Sequence, residues 1–223
     1  EAPKEITYSE TGERMEVSTP AGITTSITLD DGTQVLLSAN SRLEYSKSFS
    51  ADKREVKLVG EARFNVAKDA ERPFIVHTRQ LQTQVLGTVF DVKAYPQTPA
   101  DVTLYEGKVE VSLNGDAPQL MQPGEQVFLD KEGKLQLTKA PEETGKWAEG
   151  EFAFDDKELK SVMQEIGSWY NISVVFHSRP LLEERIYLRM NRKASANEVL
   201  TILNDMGIAK FEIVKEKIVV SKI

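Results

Sequence analysis

The chain has 223 residues, 40% of them apolar and 28% charged, with a net charge of −7 and no cysteine. That composition belongs to one large all-β domain or two ordinary domains, not to a disordered chain. It argues against a basic nucleic-acid surface, it removes disulfides, thiol catalysis and thiolate metal sites together, and no apolar run approaches the roughly 18–20 residues of a membrane helix.

The chain opens on Glu1-Ala2-Pro3-Lys4, without a signal peptide or an initiator methionine. This reads as a processed or truncated piece of something longer. Residues 1–19 are polar and predict a leader or a weakly paired edge strand. Thr24 to Leu29 alternates, as a strand does when one face lies in a core. Asp30-Asp31-Gly32-Thr33 then predicts a hairpin turn, with Gln34 to Ser38 as the return strand. Ser41 to Tyr45 and Arg54 to Leu58 are further short strands, joined by a loop over 47–53.

The centre of the chain, Leu58 to Val92, holds two copies of one pattern. Gly60 opens Gly-Glu-Ala-Arg-Phe-Asn-Val, and Gly87 opens Gly-Thr-Val-Phe-Asp-Val. Phe64 and Val66 alternate in the first copy, Phe90 and Val92 in the second. A glycine before such a strand predicts a turn or bulge with positive φ. Between the copies lies Arg72-Pro73-Phe74-Ile75-Val76, where the proline suits the start of a strand.

The same grammar continues beyond. Gly107 precedes Val109 and Val111, Asn114-Gly115 is a second hairpin signal, Gly124 precedes Val127 and Leu129, and Gly133 turns into Leu135 and Leu137. The glycine spacings are irregular, so no strict repeat is defined. Residues 1–138 are therefore expected to form an all-β domain: a sandwich, a barrel or an irregular β-solenoid.

Residues 139–150 are charged and turn-rich and read as a linker, with Trp147 as an anchor at its end. From Glu151 the period changes. Phe152-Ala153-Phe154 predicts a short strand, and Asp155 or Asp156 a helix cap. Leu159, Val162, Met163, Ile166, Trp169 and Tyr170 make one apolar helical face, ended by Asn171. Ile172 to Phe176 and Ile186 to Met190 are strands. Ser195 and Glu198 form a capping-box pattern before a second helix, which Gly207 stops. Phe211 to Val214 and Ile218 to Val220 close as a hairpin across Lys215-Glu216-Lys217. Residues 151–223 thus predict a small α+β domain in the order β-α-β-β-α-β-β.

No catalytic or metal-binding constellation stands out, and no cofactor is expected. His77 and His177 are a hundred residues apart and without a ligand pattern. Asp30-Asp31 is better turn chemistry than an acid–base pair. Glu61 and Glu125 each follow a turn glycine and read as solvated strand ends, not as a glycosidase pair. There is no phosphate-cradling loop and no Gly-x-Ser-x-Gly elbow. The phenylalanines at alternating positions read as core. An interaction module is favoured over an enzyme.

Several motifs carry a family likeness. Leu29-Asp30-Asp31-Gly32-Thr33 through Ser41, Val59-Gly60-Glu61-Ala62-Arg63-Phe64-Asn65-Val66, Arg72 to Val76, Val85-Leu86-Gly87-Thr88-Val89-Phe90-Asp91-Val92, Glu106 to Val109 and Pro123-Gly124-Glu125 resemble, in order, the motifs of FecR-type anti-sigma factors. Residues 147–223 are similar to the smaller C-terminal domain of many members, itself similar to signalling and secretin N-terminal folds. The resemblance implies the periplasmic region of a single-pass inner-membrane protein. Its implied partners are the N-terminal signalling domain of a TonB-dependent outer-membrane transporter and, through a cytoplasmic segment, an extracytoplasmic-function sigma factor.

Signal transfer of that kind is protein–protein binding, and strand addition to an exposed sheet edge is its expected mode. The candidate edges carry Ile172, Val174 and Phe176, the strand Ile186 to Met190, and Ile218 and Val220 near the C-terminus. The competing readings are a carbohydrate-binding module, for which Trp147, Trp169 and Tyr105 are the candidate aromatic platform, and an envelope-assembly module.

Overall fold

The alternation along the first part of the chain becomes fourteen paired strands. The computed structural model describes residues 5–96, 98–113 and 116–223 and divides into two units, Glu1–Glu142 and Glu143–Ile223. The strands of the first unit are β1 (Thr7–Thr11), β2 (Arg14–Ser18), β3 (Thr25–Thr28), β4 (Gln34–Leu37), β5 (Arg42–Ser46), β6 (Arg54–Asn65), β7 (Phe74–His77), β8 (Leu81–Val85), β9 (Val89–Ala94), β10 (Asp101–Glu106), β11 (Val109–Leu113), β12 (Gln119–Met121), β13 (Glu125–Leu129) and β14 (Leu135–Lys139).

β6 organises them. Its first half pairs with β5 and with β7, and its second half, from Gly60 onward, pairs with β4 and β9. One sheet therefore runs β1-β2-β5-β6-β7-β8-β11-β12, and the other β3-β4-β6-β9-β10-β13-β14. The inward residues of both sheets meet in a single cluster, with Leu43, Leu58, Phe74 and Val111 from the first and Leu37, Phe64, Phe90 and Leu104 from the second. Phe64 stacks on Phe90 at 5.2 Å and tilts against Phe74 at 6.0 Å. All the ladders are antiparallel except β6 with β7. Of the predicted architectures, this is the sandwich.

Gly60 does not open a strand, as its place in the sequence suggested. It lies inside β6, where the strand passes from one sheet to the other with φ of 102°. A Cβ at that position would sit 2.2 Å from Ser41 Oγ and 2.7 Å from Ser41 Cα. Ser41 uses the space that glycine leaves: its hydroxyl accepts a bond from the Glu61 amide at 2.9 Å and donates to the Ala39 carbonyl at 3.0 Å. At the start of the same strand, the side chain of Arg54 is fully buried. It reaches Asp31 at 2.7 Å and the carbonyls of Ala67 and Arg72 at 2.8 and 3.0 Å. Asp31 also accepts from the Thr33 amide and hydroxyl, closing the predicted Asp-Asp-Gly turn. Pro73 precedes β7 as expected, and its carbonyl accepts from the Arg54 amide at 2.9 Å.

One further expectation changes, and one is left untested. The polar first stretch is a hairpin, β1 with β2, attached through β2 to β5; only β1 is an edge, exposed along its whole length. The Asn114-Gly115 turn signal lies outside the described residues, between β11 and β12, which pair antiparallel.

The second unit contains β15 (Glu151–Glu158), α1 (Leu159–Tyr170), β16 (Ser173–Phe176), β17 (Arg185–Asn191), α2 (Ala196–Asp205), β18 (Lys210–Val214) and β19 (Lys217–Ser221), in the predicted order. β15 pairs with β17, and β16-β19-β18 form a second sheet. Phe152, Leu159, Val162, Ile166, Ile186, Leu203, Phe211 and Ile218 are among the residues of its core. Within the stretch read as a linker, Lys146–Glu149 forms a 3-10 turn in which Trp147 is buried.

Asp155 and Asp156 do not cap α1. The strand runs on through both in a bulge opposite Tyr187, with Asp156 at φ 52°, and α1 starts only after Glu158, without a side-chain cap. A bulge inserts one unpaired residue and bends its strand, which lengthened the strand beyond its apolar alternation. Asn171 ends α1 in the left-handed region, as read. Gly167 lets α1 sit against the following strand, since a Cβ there would lie 2.7 Å from the Ile172 carbonyl oxygen. Lys215 and Glu216, both at positive φ, make the closing turn, the pairing that a two-residue type I′ hairpin requires.

Gly60→Ala combines a left-handed backbone with a steric clash, so it should cost on the order of 3 kcal/mol. Gly133→Ala has positive φ but open space, and should cost about 1 kcal/mol. Urea midpoints of the two variants measure the difference, and equal losses would contradict the close approach to Ser41.

Ser195 and Glu198 form the predicted capping box, with the Glu198 carboxylate accepting from the Ser195 amide at 2.7 Å. Bonds from the Ser195 amide, then its hydroxyl, hold the Glu198 carboxyl below the usual glutamate value. A lowered carboxyl contributes stability above its unfolded pKa and loses it as the pH falls through the folded one. Ser195→Ala should therefore lower the melting temperature at neutral pH, by a margin that shrinks in acid below the ordinary glutamate range. A margin that is constant with pH would contradict the box.

Candidate partner-docking edge

The residues that could have signalled catalysis are occupied otherwise. Asp31 is the buried partner of Arg54. Glu61 lies on β6 and Glu125 on β13, with β9 and β10 between them in the sheet; three inter-strand steps make about 14 Å, beyond the carboxylate spacing of either glycosidase type. Glu125 accepts from the Gln122 amide at 2.6 Å. His77 faces Glu55 at 3.1 Å across β6 and β7. No group of three histidine, aspartate or glutamate side chains among the described residues could hold a metal ion.

The candidate aromatic platform is likewise engaged. Trp169 donates from its indole N–H to the Arg192 carbonyl at 3.2 Å, and the Arg192 guanidinium lies 4.8 Å from the Trp169 and Phe152 ring centres alike. Tyr105 donates to Asp91 at 2.8 Å beneath Arg63, whose guanidinium is 4.6 Å from its ring centre and bonded to both Asp91 oxygens at 2.7 and 2.9 Å. Burial first, then the Asp91 charge, hold the Tyr105 hydroxyl well above its usual pKa, so it remains a donor. Trp147 is buried. The aromatic side chains that do face solvent include Tyr8 on β1 and Tyr187, 62% exposed beside the β15 bulge. The outward position of Tyr187 on β17 was readable from alternation with Ile186 and Leu188.

The sheet edges separate the partner-binding candidates into two groups. Ile218 and Val220 lie on β19, the middle strand of its sheet. β18 folds back onto one side of it as a hairpin, and β16 pairs in parallel on the other. Both side chains are fully buried. The expected C-terminal edge is therefore no edge: a strand with neighbours on both sides has no free amides to offer. Ile186 to Met190 falls on β17, which pairs with β15 alone. Its other side is open, but its residues include Arg185 and Arg189, and charge blunts an edge.

Val174 and Phe176, with Ile172 just before them, belong to another open edge, one without charge. β16 pairs only with β19, in parallel, with Val174 opposite Ile218 and Phe176 opposite Val220. The His177 amide donates to the Val220 carbonyl at 2.9 Å. In a strand, amides two residues apart point the same way. The amides of His177, Val175 and Ser173 thus point at β19, and those of Val174 and Phe176 point out of the sheet. The side chains of Val174, Phe176 and Ile172 pack half-buried against the core. The candidate docking surface is therefore main chain held by packed side chains, with Val175 exposed on the sheet's outer face.

That geometry separates two substitutions. Val174→Pro removes an amide that no strand uses and leaves the second unit folded; Val219→Pro removes a ladder bond of the middle strand and unfolds it. Circular dichroism melts of the two variants check this, and equal loss of structure would contradict the assignment of the edge.

Two family models match the chain: FecR protein over residues 15–110, and FecR, C-terminal, over residues 151–220. Two crystal structures of a protein from Parabacteroides distasonis ATCC 8503, described as a candidate anti-sigma factor, are similar to it along almost its whole length. The determinations at 2.50 and 1.65 Å each give a TM-score of 0.84 and 30% identity, cover 94% and 93% of this chain, and are themselves 99% covered. No curated protein matches.

Proposed function

The chain belongs to the FecR protein family, and from that membership we propose that it is the periplasmic sensor region of an inner-membrane anti-sigma factor. It receives a signal by binding the N-terminal signalling domain of a TonB-dependent outer-membrane transporter. The message then releases an extracytoplasmic-function sigma factor, held in the cytoplasm by another part of the same protein. Among the described residues, no helix is long and apolar enough to cross a membrane.

The observation that carries the docking step is the open edge of β16. Two outward amides and their carbonyls, on a strand whose side chains are already packed, can accept a partner's strand without rearrangement. The edge lies in the region matched by the family's C-terminal model, whose small α+β unit we read as a signalling- or secretin-like module. Affinity in strand addition comes from main-chain bonds, and specificity from neighbouring side chains. Val175 on the outer face and Ile172 at the strand's start are the side chains placed to supply it.

Calorimetric titration of this chain with isolated transporter signalling domains from the same genome tests the reading. One domain should bind saturably and the others not, and Val174→Pro should abolish that binding in a chain that remains folded. Undiminished affinity in the folded variant would reject β16 as the interface, and no binding to any of the domains would reject the relay.

A further inference from the structure

The main chain of β17 alternates between its two sides, and two hydrogen bonds fix the phase. The Glu184 carbonyl accepts from the Leu159 amide at 2.7 Å, and the Arg192 amide donates to the Gly150 carbonyl at 2.8 Å. Even-numbered residues between them therefore turn their amides and carbonyls toward β15, whereas Arg185, Tyr187 and Arg189 turn theirs away from it. The bulge lies in β15, so it does not interrupt that alternation. The side chains of the same three residues are exposed and share one face of the sheet, about 7 Å from one to the next.

Charge blunts this edge without closing it. A second copy paired antiparallel about Tyr187 would set Arg185 opposite Arg189, and like charges directly opposite are destabilising. The two arginines differ toward any other strand. Arg185 lies 3.7 Å from Asp156 and stands opposite Glu158 in the ladder. Arg189 stands opposite Ala153, and among the described residues no carboxylate is within ion-pair distance of it. Asp155 and Asp156 lie on β15, on the far side of β17 from the open edge. A strand added at that edge would run one inter-strand step from Arg189 and two from those aspartates. The place opposite Arg189 therefore favours an acid, on a chain whose own net charge is −7.

We propose that the β17 edge takes an extended acidic segment of a partner protein as an added strand, with a carboxylate against Arg189 and an aromatic or apolar side chain against Tyr187. In an antiparallel addition, the residues that exchange main-chain bonds with Tyr187 and Arg189 carry their side chains on the same face as those two. An acid and an aromatic residue two positions apart are therefore read directly. The main-chain bonds supply affinity, and Arg189 selects the acidic strand over a basic one or a second copy. The site uses no part of β16, so it stands whether or not that edge docks a partner.

The test holds the strand constant and varies its charge. The chain is titrated with the capped peptide Thr-Glu-Val-Tyr-Val-Glu-Thr and with the same peptide carrying lysine in place of both glutamates, followed by calorimetry and amide NMR. The acidic peptide should bind saturably and about tenfold more tightly than the basic one, since an opposite-charge cross-strand pair is exchanged for a like one. The Tyr187 and Arg189 amides should shift and gain protection from exchange, and those of Val174 and Phe176 should not. Arg189→Glu should abolish the preference, and Arg189→Gln should weaken the acidic peptide in a chain whose melting temperature is unchanged. Val174→Pro, on the other edge, should leave the binding as it was. No saturable binding of the acidic peptide overturns the proposal. So does equal affinity for the two peptides, a preference that survives Arg189→Glu, or binding that moves the β16 amides instead and is lost with Val174→Pro.

Discussion

The first unit depends on one strand serving two sheets. A strand can change sheets only by bending, and the bend in β6 falls at Gly60, where the backbone takes a positive φ and Ser41 fills the place of a side chain. Everything else hangs from the two halves. β5 and β7 take the first half, β4 and β9 the second, and each carries its own neighbours outward. Because both halves point apolar residues inward, the sheets close on a common core. Arg54 secures the start of the same strand by a different physical means. A buried guanidinium is costly unless its donors are bonded, and here one carboxylate and two carbonyls from two loops meet its Nε and Nη1. The loops are ordered by the charge, and the charge is tolerated because of the loops.

The second unit solves the opposite problem. Its sheets are small, two strands and three, and each leaves an edge. Natural proteins usually blunt such edges with charge, proline or bulges. β15 is bulged at Asp155 and Asp156, whereas β16 carries neither a bulge nor a charge: its residues are Ser173, Val174, Val175 and Phe176. A plain apolar edge on an otherwise guarded unit is what the proposed strand addition needs, and it lies in the region matched by the family's C-terminal model.

Alternation and turn residues made the strand content, the hairpins and the second unit's element order legible, because each rests on local chemistry: period-two burial, Asp-Gly turns, the Ser195–Glu198 box, Asn171 and Gly207. What was not legible depends on pairing. Gly60 looks like a strand opener, because a sequence does not say that the strands on either side of it are one. Ile218 and Val220 look like an edge because they end the chain, but the parallel partner that covers them lies more than forty residues upstream. Asp155 and Asp156 look like caps because a bulge has no composition of its own. The candidate docking edge was half legible: hydrophobicity marked Ile172 to Phe176 as a strand, and only the register of β16 on β19 showed which amides point away from it.

The claim at the centre of this account is that the β16 edge takes a partner's strand. Amide hydrogen exchange, compared between the free chain and its complex with a transporter signalling domain, reads that edge directly. The account predicts that the Val174 and Phe176 amides exchange freely alone and become strongly protected in the complex, while Val175 and His177, already bonded to β19, change little. A complex that forms and leaves Val174 and Phe176 unprotected would contradict it.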